Sequence, residues 1–436
     1  MKIQFNQKRG LFLSVFLVLT LLIILMGHSN ARAAGSDETY KNLKLFNEVL
    51  NMVEKNYVDE IDPKVVIHGA IQGMMKSLDP LSVFMTAEQY NDLKTDTKGT
   101  FSGLGIVITM QDNIITVVAP IEDKPAFVAG VKAGDRIIEI DGETTKNFSI
   151  MDAVHKLRGE KGTKVTITVA REGEKDPIPF EIVRDLIEIK SVKHKIYYGD
   201  IGYIRISNFQ ETTADELGAA LTEIGAGEVS LKGLVLDLRN NPGGLLGQAV
   251  EVSDAFLKSG VMVSSMGRTK SSRRVSEARD DGTEPESPIV ILINGGTASA
   301  AEIVSGALHD NKRAILLGTK TFGKGSVQTI APLKDGSALK LTIAKYYTPD
   351  GTSIQAKGIA PDIFVEYVKP ATEAKDKPKQ IREADLDGHI EGEKEEGIDE
   401  KEIDEKTGRE MADLKKDNQL KNAIDLLRSW DVFKKM

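Results

Sequence analysis

The sequence predicts an α/β multidomain protein: helices packed on a mostly parallel sheet, a small β-rich module ahead of that sheet, and helical segments at both ends. Three observations carry this reading. From Gly202 onward, apolar strands alternate with apolar helices, which argues for parallel pairing. Between Thr100 and Ile187 the texture is short β-branched runs separated by glycine turns. At either end, apolar residues recur at helical spacing.

The chain begins with Lys2, Lys8 and Arg9, an apolar run from Leu11 to Met26, and Ala31-Arg32-Ala33. A basic start, an apolar middle and a small-x-small end form an export signal over residues 1–33. A retained membrane anchor is the alternative. Both place the remainder in the periplasm or cell envelope.

Residues 34–98 read as a helical segment. Phe46, Val49, Leu50, Val53 and Tyr57 lie on one helical face, and a second helix starts at Pro63. Packing or dimerisation is the expected use of these helices. Thr86 opens a third helix with capping chemistry. Residues 99–187 form the β-rich module. Ile150, Val154 and Leu157 share one face of a short helix there, and Lys164 to Ala170 alternates as a strand.

Residues 188–369 form the core. Gly233 to Leu238 is an apolar strand ending in Arg239-Asn-Asn-Pro-Gly-Gly244. Ile289 to Ile293 is a second, running into Asn294-Gly-Gly-Thr-Ala-Ser-Ala-Ala-Glu302, and Ala314 to Leu317 is a third. Residues 370–436 are a charge-rich linker followed by a helix, Leu420 to Phe433. From Ile381 to Asp413 there are 14 acidic residues against 5 basic ones, so the net charge of −8 belongs to this stretch. No chemistry is read in this tail; it reads as a solvated segment.

Composition narrows the chemistry. There is no cysteine among the 436 residues, which removes disulfides, thiolate metal sites and a cysteine nucleophile. The acidic balance argues against nucleic-acid binding. In α/β sheets, ligands bind outside the carboxyl ends of strands. Two such ends are glycine-rich here, Asn240–Gly244 and Asn294–Ser299. Ser299 stands at the start of a helix, where free N–H groups can hold an oxyanion. It needs a base. His309, ten residues along the same helix, is about 15 Å away, and no Asp–His pair frames a triad. Lys324, between two glycines in Thr321-Phe-Gly-Lys-Gly-Ser-Val-Gln328, is the alternative, because a desolvated lysine becomes a usable base. An exposed lysine in a glycine-rich turn is the competing reading. Ser337-Ala-Leu-Lys340 has the Ser-x-x-Lys spacing but reads as a strand, where residues three apart face oppositely.

The set Ser77-Leu-Asp-Pro80, Gly202-Tyr-Ile-Arg-Ile-Ser207, Leu236 to Gly244, Gly296 to Glu302 and Gly323 to Gln328, in this order, resembles the carboxyl-terminal processing peptidases, or tail-specific proteases. The resemblance spans residues 40–436. It implies an α/β protease core of crotonase/Clp-like type with an inserted PDZ domain, and a Ser–Lys dyad needing no metal or cofactor. Ser299 is then the nucleophile, Lys324 the general base and Gln328 the residue orienting the lysine. The Ala300 and Gly243 N–H groups are the expected oxyanion donors. In the PDZ module, Gly103, Leu104, Gly105 and Ile106 form the carboxylate loop, and Ile150, Val154 and Leu157 join Leu104 and Ile106 around the last side chain of the bound peptide. Two of these five apolar residues are expected to be simple core. Arg158 couples peptide binding to the active site.

Two departures stand out: Leu81 where many relatives carry a histidine, and Ala301 where many carry a second serine. The implied partners are protein substrates with apolar C-termini, further copies of the chain and an adaptor protein. A non-catalytic PDZ scaffold or chaperone of the cell envelope is the alternative from another class. A trypsin-like PDZ protease lacks its Gly-Asn-Ser-Gly-Gly site here.

Overall fold

The computed structural model describes residues 37–225, 231–369 and 414–435. The export signal and the acidic stretch lie outside the described residues. The chain divides into two compact units, residues 1–80 and 81–436. In the first, helix α1 (37–56) precedes α2 (Pro63–Lys76). Asp62 caps α2 by accepting the Lys64 N–H at 2.8 Å, and Pro63 fits the first turn because it has no N–H to lose. Tyr40, Leu43, Phe46 and Val49 are largely exposed, so the apolar spacing of α1 marks a face and not a core.

The second unit opens with β1 (Val83–Met85) and α3 (Ala87–Lys98). Thr86 and Gln89 form a reciprocal capping box at the start of α3, as the sequence predicts. Next comes the β-rich module. Strand β2 (Thr100–Gly103) pairs with β9 (Asp185–Glu188) and ties the two ends of the module together. Between them, β3 (Ile106–Gln111), β4 (Ile114–Pro120), β5 (Arg136–Ile140), β7 (Lys164–Ala170) and β8 (Ile178–Val183) form one antiparallel sheet in that order, with β6 (Glu143–Thr144) beside β5. Strand β3 lies at the edge. Helices α4 (Pro125–Ala129) and α5 (Ile150–Leu157) complete the module. The alternation of β7 buries Val165, Ile167 and Val169 against Ile115, Ile137 and Ala153.

The core sheet has the order β10 (Val192–Tyr197), β11 (Ile201–Ile206), β12 (Gly233–Asp237), β15 (Ile289–Ile293), β16 (Ala314–Gly318), β19 (Ile363–Phe364). Only β10 runs antiparallel. Both faces are covered, which explains why β12 and β15 are apolar at almost every position. Leu234, Leu236, Ile291 and Ile293 face α6 (Thr213–Glu223), α7 (Leu246–Asp254) and α8 (Ala300–Asp310). Val235, Val290 and Leu292 face Leu420, Ile424 and Leu427 of the C-terminal helix α9 (Asn418–Lys435). Each such buried side chain contributes about 1.5–3 kcal/mol. The C-terminal helix is thus a layer of the core. A separate sheet, β1–β18–β13–β14 with β17 on β18, joins β13 (Val261–Met266), β14 (Arg274–Glu277), β17 (Ser326–Pro332) and β18 (Ala338–Tyr347). Lys340 lies on β18 and Ser337 just before it, where Ser337 Oγ donates to Asp335 at 2.6 Å.

Candidate active site

The loops following β12 and β15 lie side by side because their parent strands are parallel neighbours. Asn240 and Asn294 join them reciprocally: the Asn240 N–H donates to Asn294 Oδ1 at 2.9 Å, and Asn294 Nδ2 donates to Asn240 Oδ1 at 3.0 Å. Thr297 Oγ1 donates to the Leu238 carbonyl at 2.8 Å, and the Ala298 N–H donates to the Asn241 carbonyl at 2.9 Å. These bonds satisfy the polar backbone of two loops that would otherwise be free to move apart.

Ser299 stands where the β15 loop turns into α8, with φ 54° and ψ −114°. A non-glycine residue at positive φ is strained, and such strain concentrates at functional sites. Gly243 faces it. A Cβ on Gly243, whose φ is +102°, would lie 2.8 Å from Ser299 Cβ, so only glycine permits this approach.

Glu302, fully buried on α8, holds the arrangement. Its Oε2 accepts the Ser299 N–H at 2.9 Å and the Lys324 N–H at 2.8 Å. Its Oε1 accepts the Gly323 N–H at 2.8 Å and Thr321 Oγ1 at 2.5 Å. The Phe322 N–H donates to the Thr297 carbonyl at 3.0 Å. One carboxylate therefore anchors both the serine turn and the lysine turn. A Cβ on Gly325 would meet the Gln355 nitrogen at 2.3 Å, so the glycine after Lys324 lets the turn seat against backbone.

Lys324 is half-buried. Burial, joined by the nearby positive charge of Lys340, lowers its pKa below the ordinary lysine value. Its Nζ has no hydrogen-bond partner among the described residues.

Several sequence expectations need adjustment. Gly243 does not offer its N–H: the group donates to Asn241 Oδ1 at 2.9 Å. The free donors at this junction, among the described residues, are the Ala300 and Gly244 N–H groups. Gln328 lies on β17, and its Nε2 donates to Ser326 Oγ at 2.8 Å, not to Lys324. The tail is not without chemistry either. Arg239, at the end of β12, takes Asp417 through Nη1 and Nη2 at 2.9 and 2.7 Å, and Gln419 Oε1 through Nη1 at 3.0 Å. Glu302 was legible in principle, since Ser299-x-x-Glu302 has capping-box spacing; its contacts with the Lys324 turn were not.

None of the described histidines in the second unit serves Ser299. His155 pairs with Glu88 at 2.7 Å, His194 with Glu223 at 3.1 Å, and His309 with Asp310 and Asp362 at 2.8 and 3.1 Å. His68 belongs to the first unit, and His28 and His389 lie outside the described residues. Among the described residues, no group of three or more His, Asp or Glu side chains is placed to hold a metal ion.

A cavity of about 90 Å³ lies in the β-rich module between β3 and α5. Gly103, Leu104, Gly105 and Ile106 line it, with Val154, Leu157 and Arg158 opposite. Phe101 and Ile108, not singled out in the sequence, complete the wall. Ile150 does not line it; at the first position of α5 it is 36% exposed. Leu104 and Leu157 are core as well as wall, at 2% and 5% exposure. The Leu104 and Gly105 N–H groups donate to nothing among the described residues, and Gly105 has φ +70°. Consecutive free N–H groups make an anion-binding concavity. The Arg158 guanidinium stacks over Phe101 at 4.8 Å and lies 3.9 Å from Asp92 Oδ1 on α3.

Comparison with known proteins settles the family. Residues 200–365 match Peptidase family S41, residues 102–180 match a PDZ domain, and residues 26–89 match the N-terminal domain of the activating protease CtpB. The chain is 46% identical over 424 residues to a carboxy-terminal-processing protease of Bartonella bacilliformis, covering 96% of this chain and 94% of that one. It belongs to the carboxy-terminal-processing protease family. The protease CtpA of Bacillus subtilis is 38% identical over 335 residues, covering 77% of this chain and 70% of that one. Among solved structures, a photosystem II D1 C-terminal processing protease is 30% identical with a TM-score of 0.44, covering 74% of this chain and 92% of the other. The protein is accordingly a serine peptidase of family S41 carrying a PDZ domain, with an α/β core and helical segments at both ends of the chain.

Proposed function

We propose that the protein is an exported endopeptidase that captures the apolar C-terminus of a protein substrate in the PDZ cavity and cleaves the chain with Ser299 and Lys324. The observation that carries this reading is Glu302, whose carboxylate accepts the backbone N–H groups of both residues. The substrate carboxylate meets the Leu104 and Gly105 N–H groups, its last side chain enters the cavity, and its backbone adds beside the edge strand β3. Arg158, between Phe101 and Asp92, links that event to α3.

Ser299 Oγ attacks the scissile carbonyl carbon as Lys324 Nζ takes its proton. The Ala300 N–H, joined by Gly244, stabilises the oxyanion. Lys324 returns the proton to the leaving amine, and water hydrolyses the acyl-enzyme. Gln328 Nε2 donates to Ser326 Oγ, which leaves its Oε1 available to accept from Lys324 Nζ and orient it. Residues 1–33 direct export, and the exposed apolar face of α1 supports association between copies of the chain. An adaptor protein would deliver selected substrates.

The test is cleavage of a C-terminally tagged protein by Ser299→Ala and Lys324→Ala variants. Each loses activity while its circular dichroism stays unchanged. Turnover near the wild-type rate in either variant sinks the dyad.

A further inference from the structure

We infer that Asp417 and Gln419, at the start of the C-terminal helix, are positioning residues for hydrolysis: they set the Asn240–Gly244 turn through Arg239. The inference rests on the Ser299–Lys324 reading above. Arg239 is the last residue before that turn, and its guanidinium is buried. Every N–H direction of the fork is used. Nε and Nη2 grip Asp237 at 2.9 and 2.7 Å, Nη1 and Nη2 grip Asp417, and Nη1 also reaches Gln419. A guanidinium held by two bidentate carboxylates has one orientation left to it.

The far side of the network is equally fixed. Asp237 Oδ2 accepts Tyr203 Oη at 2.9 Å and Arg205 Nη1 at 3.2 Å. Gln419 Nε2 donates to the Val365 carbonyl at 2.7 Å, and Arg205 Nη2 donates to the Arg239 carbonyl at 3.3 Å. Two arginines face two aspartates, so the cluster is neutral. Removing the Asp417 charge leaves a buried excess positive charge one residue from Asn240. Asn240 is at φ 56°, in the left-handed region that asparagine enters more readily than most residues, and it carries the reciprocal pair to Asn294. Two residues beyond Asn241, Gly243 packs on Ser299. A shift of Arg239 therefore passes to the wall of the oxyanion site along a short stretch in which every backbone N–H is bonded.

The experiment compares wild-type, Asp417→Asn, Gln419→Ala and Asp417→Glu full-length proteins. Read-outs are the rate of fluorophosphonate labelling, kcat and KM on a tagged substrate, peptide binding to the PDZ cavity, and the thermal midpoint. Asp417→Asn is expected to label about tenfold more slowly or worse, with kcat falling in step and KM and peptide affinity unchanged. Gln419→Ala falls less, and Asp417→Glu recovers part of the loss. Ser299→Ala in the same assay abolishes labelling; persistent labelling there overturns the dyad reading itself. If Ser299→Ala is silent but Asp417→Asn and Gln419→Ala label and turn over at wild-type rates, the positioning role is wrong. It is equally wrong if activity falls only in proportion to the folded fraction at the assay temperature.

Discussion

The backbone N–H groups of Ser299 and Lys324 converge on a single atom, Glu302 Oε2, at 2.9 and 2.8 Å. Residues 25 positions apart in the chain are thereby held by one buried carboxylate. Replacing Glu302 with Gln preserves volume but turns one acceptor oxygen into a donor. Two N–H groups then face an N–H. We expect Glu302→Gln to lower kcat at least about tenfold and to cost about 2–4 kcal/mol of stability in urea unfolding. Unchanged kcat in a folded variant would show that the shared anchor does not matter.

Lysine titration gives a pH signature. A general base works only as the neutral amine, so kcat/KM rises with pH through the Lys324 pKa and falls below it. Burial first, then Lys340, place that pKa below the ordinary lysine value. Lys340→Met removes a like charge and should move the rising limb to higher pH by a few tenths of a unit. A pH–rate profile in which the limb stays put or moves down contradicts the assignment of Lys324 as base.

His309, near the end of α8, pairs with its neighbour Asp310 and ties the helix to Asp362. Burial alone would lower its pKa, but the hydrogen bonds to the two aspartates outweigh it and the net shift is upward. A raised folded-state value means that this contribution is fully present below the unfolded histidine value and is lost as pH rises through the folded one. Thermal melts of wild-type and His309→Gln should differ most near about pH 5.5 and converge near about pH 8.5. A gap that widens with pH refutes the sign.

Val154 lines the PDZ cavity opposite Leu104. Val154→Trp fills a space of about 90 Å³ without touching the dyad. Peptide binding measured by calorimetry should fall sharply, and cleavage of a tagged substrate should drop to the level of its C-terminally amidated form. Equal rates for free and amidated substrates with the wild-type enzyme would speak against C-terminal capture.

Much of this architecture is written in local pattern. Gly233–Asp237 and Ile289–Ile293 announce themselves as strands covered on both faces, and the glycine-rich ends mark where backbone can approach a substrate. The Thr86 helix start follows from capping chemistry alone. Other features are invisible at that level. Ile150 shares a helical face with Val154 and Leu157, yet it stays exposed while those two line the cavity. Gly243 has the flexibility of an oxyanion donor, but Asn241 Oδ1 already holds its N–H.

The sequence by itself determined the candidate chemistry. Without cysteine or a His–Asp pair, a serine or threonine nucleophile with a lysine base is what remains; the resemblance to the tail-specific proteases points to Ser299 and Lys324, and strand order places their loops at one end of a sheet. Only the tertiary structure decided what holds them. Glu302 reaches Thr321 and Lys324 across 19 and 22 residues, and Asp417 reaches Arg239 across 178. The reason is physical: periodicity and capping report which groups a residue meets within a turn or a strand, whereas a buried carboxylate takes whatever donors the packed elements bring to it.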